Sequence, residues 1–366
     1  MSDIKLDSKT YTFDQLEKKY RQFIAPGYKI RVDGQDIVKA GMAIRELTVE
    51  TTIANEADTA MFTIVNGYNL VSRQFEWLGG LLALGKEIEV HIGYTDQMTA
   101  IFSGYITNIN TEFYPNETPT IAVTGMDLSF KMMRNRAAQT WSNKTISDVV
   151  RSIGQQNGIS QFEMDSTTEQ LPTFTKKPDN DFHFLQMLAQ SINYECFVVG
   201  KTLYFRKYGH HTSSVITLSL GKHLQYLQME QSIAEQVSDV TVRSWDAEKQ
   251  QILIGTASKM QPIGSNTKTG ADIMRTLGKF EEVLYLNAAD SHDAKLKATA
   301  ALHRRAMRLV EGEAHCLGLP ELRAGRFVTF DGLGKQLNQP YYIKTATHIL
   351  NEQGYSTRLR VQGNAV

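Results

Sequence analysis

Few residues in this chain have types and spacing that could do chemistry. His210 and His211, with His223 nearby in sequence, form the first metal candidate. An ion needs converging ligands, whereas adjacent side chains of an extended segment point to opposite sides. A polar turn after a hairpin is the simpler account. His315-Cys316 sets an imidazole beside a thiol. A working Cys–His pair comes from separate segments and needs an orienting partner, so the simpler reading is a strand with Cys316 inward and His315 outward. Gly332-Leu333-Gly334-Lys335 has part of a phosphate loop. It lacks the upstream glycine, the following Ser/Thr and the helix such a loop opens, and a tight β-turn fits it. Glu281 and Glu282 would have to act as glycosidase acids, which stand about 5–10 Å apart across a cleft; neighbours on a strand diverge. Arg304, Arg305 and Arg308 suit a solvated helix face or a contact with an acidic partner. Trp77 and Trp245 could each anchor an interface or fill a core. No catalytic, cofactor-binding or metal site emerges.

The bulk composition suits a globular chain and is no obstacle to burying much of its surface in an assembly. A chain of 366 residues can build two or three domains, and 42% of it is apolar. Lys and Arg number 39 and so do Asp and Glu, which argues against a nucleic-acid binder that must neutralise phosphates. The two cysteines, Cys196 and Cys316, are too few for a disulfide framework or a cysteine metal site. The start has no signal-peptide pattern, and the longest apolar run, near 77–84, is far short of the roughly 20 residues that span a bilayer. The expected location is the cytoplasm.

The elements that would position these residues change character along the chain. Residues 1–25 read as an arm: Thr12 to Gln15 has capping-box spacing, and Phe13, Leu16, Tyr20 and Phe23 recur at helical intervals. Over 26–130 the period becomes two, with Ile88, Val90 and Ile92 alternating with Glu89 and His91 between turn residues, as in a barrel or sandwich. Residues 131–210 form a small α+β unit. Thr145 caps a helix with Ile146, Val149, Val150 and Ile153 on one face; a second helix starts near Asp181, and a hairpin turns at Gly200-Lys201. Residues 211–366 are β-rich again, with a polar, mobile loop at 258–270 and an Ala-rich helix over 290–310. No short tandem repeat stands out. The fold class is mainly β with an α+β insert: two β-barrel-like domains flanking a small α+β domain.

Five blocks in order resemble the phage late-control protein D family, which includes tail baseplate hubs and the hub portion of VgrG spike proteins. The first runs from Leu84-Gly85-Lys86 through Ile92-Gly93-Tyr94, Ile101-Phe102-Ser103-Gly104-Tyr105-Ile106 and Val123-Thr124-Gly125-Met126-Asp127. The second is Asn143-Lys144-Thr145-Ile146 with Asn157-Gly158-Ile159, and the third, the most specific, is Asp181-Phe182-His183-Phe184-Leu185 with Leu203-Tyr204-Phe205. The fourth is Val240-Thr241-Val242-Arg243-Ser244-Trp245-Asp246 with Ile254-Gly255. The last is Gly318-Leu319-Pro320-Glu321-Leu322-Arg323-Ala324-Gly325 with Tyr341-Tyr342 and Gly354-Tyr355. Ala324 stands where the family commonly has proline.

The resemblance implies a structural part and not an enzyme. It implies a homotrimer whose two similar barrels per chain form a ring of near six-fold symmetry. That ring would join a hexameric tail tube protein to a trimeric spike protein among other baseplate proteins, with a bore wide enough for a tape-measure protein. No cofactor, specific nucleic acid or membrane-spanning segment is implied. The chain would assemble in the cytoplasm and end in the baseplate of a phage virion or injection particle. The chain has no needle repeats, so the spike should be a separate protein. The rival readings are a tail-associated peptidoglycan hydrolase and a glycan-binding tail-tip protein.

Overall fold

The structure, a computed structural model, describes residues 4–209 and 213–366. Six α-helices are present among them: α1 (Phe13–Lys19), α2 (Ser129–Arg134), α3 (Ile146–Gln156), α4 (Asp181–Ser191), α5 (Gly270–Leu277) and α6 (Ser291–Ala306). The remainder is mainly strand. Local chemistry sets the helix starts: Thr12 with Gln15, and Thr145 with Asp148, close reciprocal capping boxes, and Asn180 accepts from the His183 amide at the head of α4.

One sheet of 13 strands organises the molecule. Its first half holds Pro26–Val32, Ile44–Thr52, Thr59–Ile64, Glu87–Tyr94, Gln97–Glu112 and Thr120–Met126, plus the short Gln35–Asp36. Its second half holds Ser214–Ser219, Leu224–Gln231, Val310–Leu317, Phe327–Asp331, Pro340–Asn351 and Gly354–Gly363. Numbered one to six within each half, the strands lie in the same order, 2-3-6-5-4-1, in both. The irregularities repeat as well. Each strand 2 has a register shift near its start, between Ile44 and Glu46 and between Leu224 and Tyr226. Each strand 5 has one, between Ile106 and Asn108 and between Ile343 and Thr345. Bulges re-aim a strand at a defined point, so their recurrence sets the two halves in residue-by-residue register. Leu47 and Val49 then correspond to Leu227 and Met229, and Val123 to Leu359.

The halves join edge to edge. First-half strand 2 runs antiparallel to second-half strand 5, with Leu47 opposite Leu350, Val49 opposite His348 and Glu50 opposite Thr347. A single apolar core lies under both halves, including Val49, Phe62, Ile88 and Val123 from one and Ala314, Val328, Ile343 and Leu359 from the other. Gly104 shows how closely the strands pack: a Cβ there would sit 2.1 Å from the Met126 carbonyl oxygen.

Two further units hang from one rim of this sheet. Residues 129–207 follow first-half strand 6 and have their own core of Val149, Val150, Phe182, Leu185, Leu203 and Phe205. Residues 233–308 join second-half strands 2 and 3, where the first half has only the loop 53–58. This insert is a three-stranded sheet, Gln251–Ala257, Asp239–Asp246 and Glu281–Tyr285, with α6 laid across it. Ala294, Ala298, Ala301 and Leu302 of α6 pack on Val240 and Val242. Gly255 faces α6 because a Cβ there would lie 2.1 Å from the Lys295 amide nitrogen. The polar loop at 258–269 is tied down: the Ile263 amide donates to Asn364 Oδ1 (2.9 Å) and Asn266 Nδ2 to the Gln336 carbonyl (2.8 Å).

Candidate assembly surfaces

The side chains with chemical potential are held by structural partners. His210 and His211 lie outside the described residues; His223 stacks on Phe13 with 3.7 Å between ring centres. Among the described residues, no group of three His, Cys, Asp or Glu is placed to hold a metal ion. Cys316 points inward and His315 outward, as alternation on a strand requires. Burial pushes both thiols, Cys196 and Cys316, up to about 12, and a thiol kept protonated is a poor nucleophile. Glu282 is held by Arg305 Nη2 at 2.6 Å, while Glu281 accepts from Thr241 at 2.5 Å and pairs with Lys279. Gly332 and Gly334 form the turn between two strands, both with positive φ.

The arginine cluster is largely spent inside the chain. Arg305 pairs with Glu282, Arg308 with Glu235, and Arg304 Nη1 donates to the Gln190 carbonyl at the end of α4 (2.6 Å). Of the two tryptophans, Trp77 packs against the main core, whereas Trp245 is 61% exposed.

The motif residues turn out to be ties between units. Asp181 is buried and accepts from Asn135 (2.6 Å), Asn157 (2.8 Å) and the buried Lys176 ammonium, which anchors α4 to its neighbours. Glu195 and Arg206 pair at 2.6 Å, Arg206 reaches the Gly325 carbonyl at 2.7 Å, and the Tyr342 hydroxyl donates to Glu195. This network locks the α+β unit to the second half. Arg323 crosses to the first half, where it binds Asp58 and the Ile101 carbonyl (2.7 Å). Ala324 donates its amide to Thr51 Oγ1 at 3.2 Å, a bond that proline at this position could not make.

The N-terminal arm closes across the same region. Tyr20 Oη and Lys19 Nζ both reach Glu321 at 2.7 Å, and Tyr94 donates to the Gly318 carbonyl at 2.9 Å. No sequence signal identified this clasp beyond the helical spacing of Phe13, Leu16 and Tyr20.

Three open features remain. The sheet face away from the core is largely polar, with Thr48, Glu50 and Thr124 in one half and Gln228, Glu230 and Arg360 at the corresponding places in the other. Second-half strand 2, Leu224–Gln231, is an edge strand. A groove of about 1100 Å³ separates α4 from α6, with Met187, Leu296, Glu169 and Asp290 among its walls. No helix among the described residues is long and apolar enough to cross a membrane.

Comparison with solved structures defines the class. The fold matches the 43 kDa tail protein of prophage MuSo2 from Shewanella oneidensis at 12% identity and TM-score 0.71, covering 92% of this chain and 98% of that one. It matches a tail protein from Neisseria meningitidis MC58 at 13% identity and TM-score 0.67, covering 92% and 96%. An Escherichia coli type VI secretion component, described as structurally similar to the T4 tail proteins gp27 and gp5, matches at 11% identity and TM-score 0.57, covering 92% and 77%. This is the fold of phage tail and VgrG-like proteins. A family profile described as "Alg8 N-terminal domain" matches residues 25–352, and the chain belongs to that family. No curated protein matches the sequence.

Proposed function

We propose that this chain is a baseplate hub of the late-control protein D type, in a phage tail or a related contractile injection machine. Three copies form a ring of near six-fold shape that joins a hexameric tail tube to a trimeric spike. The observation that carries this reading is the doubled six-strand order, with matched bulges in strands 2 and 5 and the two copies of the motif joined edge to edge. A chain containing two like modules lets three-fold packing imitate six-fold packing.

The rims of the sheet support a joining role. The α+β unit and the insert both grow from the rim at Met126, Gln231 and Val310, so the two ends of a ring would offer different surfaces to different partners. The polar face bearing Thr48, Thr124 and Arg360 is the candidate bore lining, through which a tape-measure protein could pass. Burial of Cys196 and Cys316 and the pairing of Glu281 and Glu282 with cationic or hydroxyl partners weigh against these residues as hydrolase groups. The chain would act in the baseplate of the finished particle after assembly in the cytoplasm.

Absolute mass in solution, with and without the co-expressed spike protein, tests the proposal. Three chains of 41.2 kDa give about 124 kDa, and electron micrographs should show a ring with a central hole. A chain that stays single beside its spike, or one that cleaves peptidoglycan in a zymogram, would overturn it.

A further inference from the structure

The internal joint leaves half of its pattern unused. First-half strand 2 is covered on both edges, by strand 3 of its own half and by second-half strand 5. Its counterpart, Leu224–Gln231, is covered on one edge alone among the described residues. The counterpart of the receiving edge is also open. First-half strand 5 pairs with Glu87–Tyr94 only as far as Tyr105, and beyond Ile106 no described strand lies on that edge.

We infer that these two edges meet between copies, so that Leu224–Gln231 of one chain adds antiparallel to residues 108–112 of the next. This rests on the ring reading and assigns its contact. The matched bulges give the register. Gln228 corresponds to Thr48 and Glu230 to Glu50, while Asn108 corresponds to Thr345 and Asn110 to Thr347. Inside the chain, Glu50 stands opposite Thr347 and accepts its hydroxyl at 3.0 Å. Between copies, Glu230 therefore stands opposite Asn110, whose amide now reaches only Glu112, two residues on (3.0 Å). On the core side, Met229 meets Thr111 and Leu227 meets Phe113, a ring that is 60% exposed in the single chain. Open edges of this kind are ready templates for another chain.

The insert supplies the apolar area that a strand pair lacks. It grows directly from Gln231, the end of the joint strand, and α6 turns one side to its own sheet and the opposite side, with Leu296 and Thr299, to the groove beside α4. The other face of that sheet is bare. Trp245, Ile252, Ile254 and Tyr285 are all at least half exposed, and Arg243 lies between Ile254 and Tyr285. Ten of the twenty-two exposed large apolar side chains among the described residues belong to the insert, a concentration that marks a contact surface. In the inferred register, the neighbour's strand 6, from which its α+β unit begins, lies only two strand spacings from the joint strand, about 10 Å. The bare face is thus turned to the α+β unit of the next copy. An obligate interface buries on the order of 2,000 Å² or more, with an apolar centre, and edge and face together fit that description.

A full-length chain with both Asn110→Cys and Glu230→Cys tests the joint. Both residues are exposed and the native Cys196 and Cys316 are buried, so folding should be unchanged, as checked by thermal melting under reducing conditions. Mild oxidation should give covalent dimers and closed trimers that reducing agent dissolves, and neither single variant should give them. A trimer by mass with no such bond would overturn this joint while leaving the ring intact; absence of any trimer would overturn both. A photo-crosslinking residue at Trp245, in trimers mixed from heavy and light isotope chains, should mark residues 129–207 of a different copy. Marking of the same chain, or of another protein, would remove the insert from the contact. Trp245→Ala should raise the trimer dissociation constant at least tenfold.

Discussion

The two halves of the sheet agree in strand order and in the bulges of strands 2 and 5, and differ in nearly everything else. First-half strand 1 runs antiparallel to strand 4, whereas second-half strand 1 runs parallel to it. Strands 2 and 3 are linked by a short loop in one half and by a whole folded unit in the other. On the polar face, Met61 corresponds to Glu313, Thr124 to Arg360 and Ala122 to Arg358. Shape has been kept while surface chemistry has diverged. A ring built from such halves would be near six-fold in outline and three-fold in charge, which suits a part that meets one six-fold and one three-fold partner.

The largest effect expected in the single chain comes from breaking the tie between the halves. Arg323 carries the second half's turn onto Asp58 and the Ile101 carbonyl of the first. Arg323→Ala leaves Asp58 buried without its cation, and loss of one partner from a buried pair costs about 3–5 kcal/mol. Urea unfolding should show a midpoint lowered to match. A midpoint within error of the parent would mean the strand joint alone holds the halves together.

Much of the local structure was legible in the sequence, as was the mainly β plan with its α+β insert, and the strand-by-strand register of the repeat was not. The capping boxes at Thr12 and Thr145, the Gly200-Lys201 hairpin, the alternation at Ile88–Ile92 and the inward Cys316 all rest on interactions within a few residues, which spacing reveals. The repeat rests on strand register across long gaps, and its corresponding positions share burial without sharing residue type, as Phe62 and Ala314 do. Burial asks only for apolar character and a fitting volume. The clasp of Tyr20 on Glu321 joins residues 301 apart, beyond the reach of any local pattern. Trp245 could be read equally as core or interface, because alternation on a strand does not say which face is covered.

Acid and base should strain the two halves differently. In the first, burial pushes Asp58 up to about 6 and, with Asp58 as its neighbour, Asp127 up to about 8. A carboxyl whose folded value is raised contributes stability below its unfolded value near 4, and loses it as pH rises through the folded value. In the second half, burial holds His348 down to about 4, with Tyr355 and the Leu322 carbonyl on its two ring nitrogens at 2.8 and 2.9 Å. That contribution is present above about 6.5 and is lost as pH falls toward 4. The windows overlap: the carboxyls lower the melting temperature as pH rises from about 4 to 8, while His348 lowers it as pH falls from about 6.5 to 4 and so opposes them there. Asp127→Asn should flatten the fall between about pH 6.5 and 8, where Asp127 alone titrates, and His348→Gln should steepen the fall between about pH 4 and 6 by removing the opposing gain. If both variants changed the profile in the same pH range and direction, the assignment of one window to each half would fail.

The smallest effect sharpens the comparison most. Thr347 and Glu50 form one half-buried bond at a joint that the chain's own connectivity already holds closed. Thr347→Val removes a single hydrogen bond near solvent and should cost no more than about 1 kcal/mol in urea unfolding. Asn110→Leu removes the corresponding bond where nothing covalent holds the edges together, and a ring of three repeats the loss three times. The chain's own stability should then stay at the parent value while the concentration needed for assembly rises several-fold, as read by mass at graded dilution. Equal effects of the two substitutions on the single chain, with assembly unmoved, would show that residues 108–112 carry no counterpart of the internal joint.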